Sequence, residues 1–354
     1  MRRFVHESLP GRVVFGPGCL ARLGEEIDRL GLKRALLLST PPQRDAAAAL
    51  AGRLGPRVAG LYDRAVMHVP VAVAREAVAA AQAAGADCTV ALGGGSTIGL
   101  GKAIARELAL PVIAVPTTFA GSEMTPIWGQ TEGGVKQTGR DPKVLPRLVL
   151  YDPELTLTLP AAIAGPSGLN AIAHCVEALY AETPDPVVEL MAEEGIRALA
   201  GSLPAVVARP DDLGARGEAL YGAWLAGSAL GAVGMALHHK LCHTLGGSFN
   251  LPHAETHAIV LPYVVAFNHE AAPAAMWRLA RALGGTADPA GALWDLGRRV
   301  GAPPALSAIG LAESDLDRAA GLATANPYYN PRPVTRDGVR ALLQAAFEGG
   351  RPGS

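Results

Sequence analysis

The chain has 354 residues, 49% of them hydrophobic, enough to bury one large core or, better, two domains of ordinary size. Its 31 Lys and Arg against 32 Asp and Glu leave a net charge of −1 with no basic patch, which argues against a nucleic-acid partner, and no apolar run approaches a membrane span. Residues 1–20 carry charges, Pro10 and three glycines where a leader would carry an apolar core, and Cys19, Cys88, Cys175 and Cys242 are widely spaced with no CxxC, so a cytoplasmic protein with reduced, mostly buried thiols is expected.

In chain order, RVVFG at 12–16 reads as a strand, CLARLGEEIDRLG as a helix, RALLLST at 34–40 as a buried strand and RDAAAALAGRLG as a helix. REAVAAAQAAG then leads into the strand of CTVALGGGS, and ELALPVIAVPTT supplies the next. Short apolar strands separated by helices imply a parallel sheet covered on both faces, so residues 1–155 read as a Rossmann-like α/β domain whose ligands bind at the strand C-terminal ends. Past the turn-rich YDPELTLTLP at 151–160 the texture becomes long Ala/Leu/Gly stretches of helical period, one of them starting after Pro166. Residues 156–354 therefore read as a second, all-α domain, and the site is expected in the cleft between the two.

Three strand ends carry chemistry suited to a dinucleotide. Gly93-Gly94-Gly95-Ser96-Thr97 follows the run TVAL and opens a helix, so bare backbone N–H groups converge on a helix N-terminus where a pyrophosphate could sit, although a tight structural turn uses glycine too. The loop after the next strand offers Thr117, Thr118 and Ser122, as helix caps or as nucleotide contacts. At the tip of the second strand, Ser39 and Thr40 stand with Arg44 nearby where an NAD-selective fold would place an acid, so NADPH should not be repelled.

Five of the nine histidines fall between His238 and His257, in HHKLCHTLGGSFNLPHAETH. His239 and His243 are four apart and share one helix face; Gly246-Gly247 should end that helix, and His253 then points back into the same space. Asn170 and His174 repeat the spacing and could supply the facing wall. Any one of these reads as a core or surface histidine, but their concentration favours a metal or acid/base site, since burying many titratable rings is costly. Asn170 stands where a carboxylate would be the better ligand, so a metal should bind weakly. His238 lies about 100° around the helix from His239 and His257 lies beyond the Pro-His turn, so neither is expected to take part in chemistry.

GGGST with Lys102, PTTFAGSEMTP, GVKQTGRDPKVLPRLVLYDPELTLTLP, NAIAHCVEALYA, the histidine segment and NPYYNPRP, in this order, resemble the maleylacetate reductases within the iron-containing alcohol dehydrogenase superfamily. The resemblance implies a dehydroquinate synthase-like two-domain architecture, NADH or NADPH in the cleft, a homodimer, and reduction of the maleylacetate C=C bond to give 3-oxoadipate in aromatic degradation. Carried over to this chain, the superfamily's metal ligands are Asn170, His174, His239 and His253, with His243 beside the nicotinamide. Asn170 replaces the superfamily's Asp, a substitution that in the resembled reductases goes with metal-independent activity, and Gly99 replaces the Asp that follows GGGSxx in metal-dependent relatives, which favours the reductase over the alcohol dehydrogenase. Enolate stabilisation falls to His239, His243 and His253, and Lys136, Arg140 and Arg332 are the candidates for the substrate carboxylates. The alternatives are a metal-dependent alcohol dehydrogenase and a dehydroquinate synthase-like lyase. Both want a charged ligand at Asn170, and the lyase also wants phosphate-binding basic residues that the histidine segment lacks.

Overall fold

Short apolar runs with a Val, Ile and Leu bias build the first unit. The computed structural model describes residues 4, 6, 9, 11–133 and 135–353, so most of the leader-free reading of the first ten residues lies outside the described residues. The strands are β1 (Arg12–Phe15), β2 (Ala35–Leu38), β3 (Val58–Tyr62), β4 (Cys88–Gly93), β5 (Val112–Pro116), β6 (Ile127–Glu132), β7 (Val135–Arg140) and β8 (Leu148–Tyr151). Six form a sheet in the order β1-β8-β5-β4-β2-β3, with every pair parallel. The helices α1 (Leu23–Arg29), α2 (Arg44–Leu54), α3 (Val71–Ala83) and α4 (Gly95–Leu108) cover it. Because both faces are covered, β2, β4, β5 and β8 are buried along their whole length, and Leu37, Val90, Ile113 and Leu148 sit at the centre of one core.

The chain runs outward through β2 and β3 and then in the other direction through β4, β5 and β8. The reversal falls between β2 and β4, the place where open α/β sheets leave a crevice at their C-terminal edge. An antiparallel hairpin, β6–β7, stands apart from the sheet. It is absent from the reading of the sequence because IWGQTE and VKQTGR lack the alternation of apolar and polar residues that marks a half-buried strand. The edge strand β3 escaped for the same reason: VAGLY buries fully only Tyr62.

The first unit closes at Leu159, and the second begins at Pro160. The boundary lies four residues beyond 155, because Asp152 caps the 3-10 turn Pro153–Thr156 and Leu155 packs on the core of the sheet. The second unit is all helix: α5 (Ala161–Leu179), α6 (Pro186–Ala208), α7 (Leu213–Ala232), α8 (Leu237–Phe249), α9 (His253–Asn268), α10 (Pro273–Ala282), α11 (Pro289–Arg299), α12 (Leu316–Ala323) and α13 (Arg336–Glu348). Helix α5 starts ahead of Pro166 and carries it in its second turn, where the ring costs one backbone bond. From Ala164 to Leu179 it is buried, with α6, α7 and α9 packed around it. Helix α8 runs through Gly246-Gly247 to Phe249, and Asn250, at φ 54°, makes the left-handed close that the glycine pair was expected to supply. All four cysteines are free and buried, and among the described residues no single helix is long and apolar enough to cross a membrane.

Candidate active site

In the first unit, the turn from β4 into α4 makes a cradle that a side chain would fill. Gly93 has φ 154°, and a Cβ there would lie 2.4 Å from Thr97 Oγ1; one on Gly94 would lie 2.8 Å from the Thr118 methyl. Close approach of the Thr97 and Thr118 side chains to bare backbone is thus built in, and the first N–H groups of α4, from Gly95 onward, open onto the turn with the positive end of the helix dipole. The Thr97 hydroxyl is buried without a hydrogen-bond partner. Thr117 and Thr118 follow β5, and the Thr117 N–H donates to the Gly93 carbonyl at 3.1 Å. Gln43, absent from the sequence reading, ties the strand tips together: it accepts from Thr40 Oγ1 at 3.2 Å and donates to Thr117 Oγ1 at 2.9 Å.

Ser122 has another task. Buried Lys102 donates to the Ser122 carbonyl (2.6 Å), Thr125 Oγ1 (3.0 Å) and the Ile127 carbonyl (2.8 Å), with the Ser122 hydroxyl at 3.4 Å. Burial pulls this ammonium down to about 7, and the loop carbonyls replace the water it has lost. Beside it Glu123 is also buried, its pKa raised by desolvation, and accepts from the Tyr151 hydroxyl at 2.7 Å.

In the second unit, α5, α8 and α9 bring the histidines together. His174 and His239 stack with ring centroids 5.0 Å apart, His239 meets His243 at 6.1 Å, and His243 stacks on His253 at 6.4 Å. His174 and His239 are buried, while His243 and His253 are half-exposed, so the cluster has a buried floor and an open rim. Desolvation, with His239 and His243 nearby, holds His174 well below the ordinary histidine value, so it is neutral near pH 7.

Glu177 organises the floor. Asn170, His174 and Glu177 follow the i, i+4, i+7 pattern of one α5 face, a signal present in the sequence but not used. Its fully buried carboxylate accepts from the backbone N–H of Ala236 (2.9 Å), His238 (2.7 Å) and His239 (3.4 Å), capping the start of α8, and meets His239 Nδ1 at 2.7 Å. That contact fixes the imidazole: Nδ1 carries the proton toward the carboxylate and Nε2 faces the cluster.

His238 and His257, not expected to take part in chemistry, lie within the cluster. Both are fully buried, joined Nε2 to Nδ1 at 3.0 Å, and His257 lies 4.4 Å from His253 and 5.0 Å from His239 by ring centroid. The 100° offset of His238 turns it from one part of the cluster to another. With Cys242 they place three ligand-type atoms within 4.8 Å of one another. The 3.0 Å contact already satisfies one nitrogen of each ring, and burial raises the Cys242 thiol well above its ordinary value, so these three read as a packed, hydrogen-bonded support.

A metal held as the resemblance implies would take Asn170, His174, His239 and His253. Asn170 Oδ1, His174 Nδ1 and His239 Nε2 are buried without partners, so the floor is polar and unsatisfied by protein. The set nonetheless fits a hard divalent ion poorly: all four donors are neutral, and the carboxylate of Glu177 is committed to backbone and to the far nitrogen of His239.

The substrate-carboxylate candidates do not all share one unit. Lys136 and Arg140 lie four apart on β7, whereas Arg332 is in the second unit, exposed, donating to the Phe267 carbonyl at 3.1 Å with its guanidinium 4.3 Å over the Phe267 ring. Arg332 is thus engaged locally, and Lys136 is the stronger candidate.

Comparison with known proteins identifies the family. Residues 10–153 match the family model described as iron-containing alcohol dehydrogenase, and residues 165–347 match that of the Fe-containing alcohol dehydrogenase family, C-terminal. The chain is similar to maleylacetate reductase of Burkholderia cepacia, 57% identical over 99% of this chain and 100% of that one. It is also similar to maleylacetate reductase of Rhizobium sp. (strain MTP-10005), whose crystal structure covers 99% of this chain and 100% of its own with a TM-score of 0.95 at 57% identity. A 1,3-propanediol oxidoreductase structure shares 28% identity at a TM-score of 0.90, covering 98% of this chain and 100% of its own.

Proposed function

The chain belongs to the iron-containing alcohol dehydrogenase family, a family of nucleotide-dependent oxidoreductases, and from that premise we propose that it is a maleylacetate reductase, reducing the C=C bond of maleylacetate to 3-oxoadipate with NADH or NADPH and without a metal. The observation that carries this reading is the neutral donor set around Asn170, with one histidine, His239, backed by a buried carboxylate.

Bound nicotinamide supplies the hydride, which goes to the alkene carbon β to the ketone. Charge then develops on the ketone oxygen as an enolate, and the chain's residues have to stabilise it. Glu177 holds the His239 ring by its Nδ1, and His239 with Asn170 and His174 forms the polar floor that would face that oxygen. His243 and His253, on the half-exposed rim, are placed to pass a proton from solvent to the carbon α to the ketone. The Gly93–Gly95 turn would hold the cofactor phosphates, and the tip at Thr40, a hydroxyl where NAD-selective folds place an acid, fits NADH or NADPH. The reading includes a dicarboxylate small molecule as the ligand, a homodimer as the assembly, and no nucleic-acid or membrane partner; near-neutral charge, and the fact that among the described residues no single helix is long and apolar enough to cross a membrane, support the last two.

The experiment is a rate comparison at 340 nm. NADH or NADPH oxidation with maleylacetate is expected to exceed alcohol-dependent NAD reduction with ethanol or 1,3-propanediol by at least about a hundredfold, since the neutral donor set around Asn170 would hold only weakly the Lewis acid that alkoxide chemistry needs. Faster alcohol oxidation would replace this reading with the metal-dependent alcohol dehydrogenase one.

A further inference from the structure

Dinucleotide folds that select NAD place an acid for the ribose 2′-hydroxyl at the end of the strand beside the glycine turn. Here the turn follows β4, the strand beside it is β2, and the residue at that tip is Thr40. Its hydroxyl is already turned to Gln43 Oε1 at 3.2 Å.

An acid stands one strand farther out. Asp63 directly follows β3, and backbone bonds lock the two tips together: the Ser39 N–H donates to the Tyr62 carbonyl at 3.0 Å, and the Ala65 N–H to the Ser39 carbonyl at 3.1 Å. Asp63 is therefore fixed beside the β2 tip, and its carboxylate lies 2.7 Å from Arg44 Nε. Arg44 is the first residue of α2, and Pro41-Pro42 restrict the backbone between it and Thr40, so its stem is anchored to the same tip. The Arg44 side chain is 68% exposed and that of Asp63 22%. An ion pair this exposed is weak, so a phosphate dianion arriving at the tip can draw the guanidinium away. Arg64, the next cation along, is committed elsewhere: it pairs with Glu76 on α3 at 3.1 Å and lies 4.9 Å over the Tyr62 ring.

We propose that Arg44 and Asp63 set this chain's choice between NADPH and NADH: Arg44 receives the 2′-phosphate of NADPH, and Asp63 competes for Arg44 and so holds NADPH affinity down. The proposal rests on the reading above only for the presence of a dinucleotide at the strand tips. With NADH no phosphate arrives, and the pair stays closed. With NADPH the pair opens, Arg44 makes a charge-assisted contact, and Asp63 is left beside a like charge, which costs affinity.

The test is calorimetric titration of NADH and NADPH onto the full chain and onto Arg44→Gln, Asp63→Asn and Arg64→Gln, all at one ionic strength. Each of these side chains reaches solvent, so the fold is expected to survive, and thermal melting checks that it does. Arg44→Gln is expected to raise the NADPH dissociation constant by about tenfold, and Asp63→Asn to lower it by about threefold or more, each leaving NADH within about twofold. Arg64→Gln is the control, with both nucleotides within about twofold of wild type. A pair that only held the fold would move both nucleotides in the same direction. The proposal is overturned if Arg44→Gln leaves NADPH within about twofold or weakens both nucleotides alike, if Asp63→Asn fails to tighten NADPH, or if Arg64→Gln matches Arg44→Gln. A wild type that binds neither nucleotide would overturn the cofactor reading and the proposal together. Intact nucleotide selection without maleylacetate reduction would sink the substrate reading alone.

Discussion

Glu177 has no solvent exposure, and a carboxylate in that position is costly unless hydrogen bonds replace its water. Backbone N–H groups at the start of α8 and His239 Nδ1 do so, which makes Glu177 both a helix cap and the group that orients His239. Glu177→Gln would turn an amide NH2 toward one of these donors and leave a buried pair unsatisfied, at a cost of about 1–3 kcal/mol. The expected outcome is a lower melting temperature together with a fall in kcat of about tenfold or more, while NADH affinity stays within about threefold, because in the proposed function His239 serves the enolate and not the nucleotide. Equal losses in kcat and NADH affinity would mean that Glu177 only holds the fold.

Among the elements, the β4–α4 turn makes the sharpest prediction. Gly94→Ala puts a methyl 2.8 Å from the Thr118 side chain, in the space a pyrophosphate would approach. NADH and NADPH dissociation constants are expected to rise by about tenfold or more with the melting temperature little changed, as measured by fluorescence titration and thermal melting. An unchanged nucleotide affinity would move the phosphates elsewhere. This turn and its strands could be read from the sequence because each is a local pattern: an apolar run, then glycines, then a helix. The elements that escaped are those whose signal is not local. The polar hairpin β6–β7 shows no alternation, and the link from Glu177 to His239 forms only when α5 packs against α8. His238 illustrates the limit of helix-wheel reasoning: 100° away from His239 is away from one neighbour, but in a cluster fed by α5, α8 and α9 it is toward another, His257.

For the whole molecule, burying neutral imidazoles couples stability to pH. Desolvation, followed by neighbouring histidines, lowers the folded-state pKa of His174, His238 and His257 well below 6.5. The unfolded chain therefore takes up protons first as pH falls: stability is full above about 6.5, and below that it declines by up to about 1.4 kcal/mol per pH unit for each such histidine until the folded values are reached. Melting temperature is expected to drop steadily between about pH 7 and pH 5, and His238→Asn to flatten the slope; a level profile for the wild type would show that these rings reach solvent. The same neutrality underlies the proposed function, in which three imidazoles and an amide would stabilise an enolate without an ion and would hold a divalent cation weakly. The most direct test is maleylacetate-dependent NADH oxidation before and after exhaustive chelation, with metal content measured on the same sample. The account predicts activity within about twofold of the untreated enzyme at negligible bound metal, because no step depends on a Lewis acid; loss of activity on chelation with recovery on adding iron or zinc would contradict it.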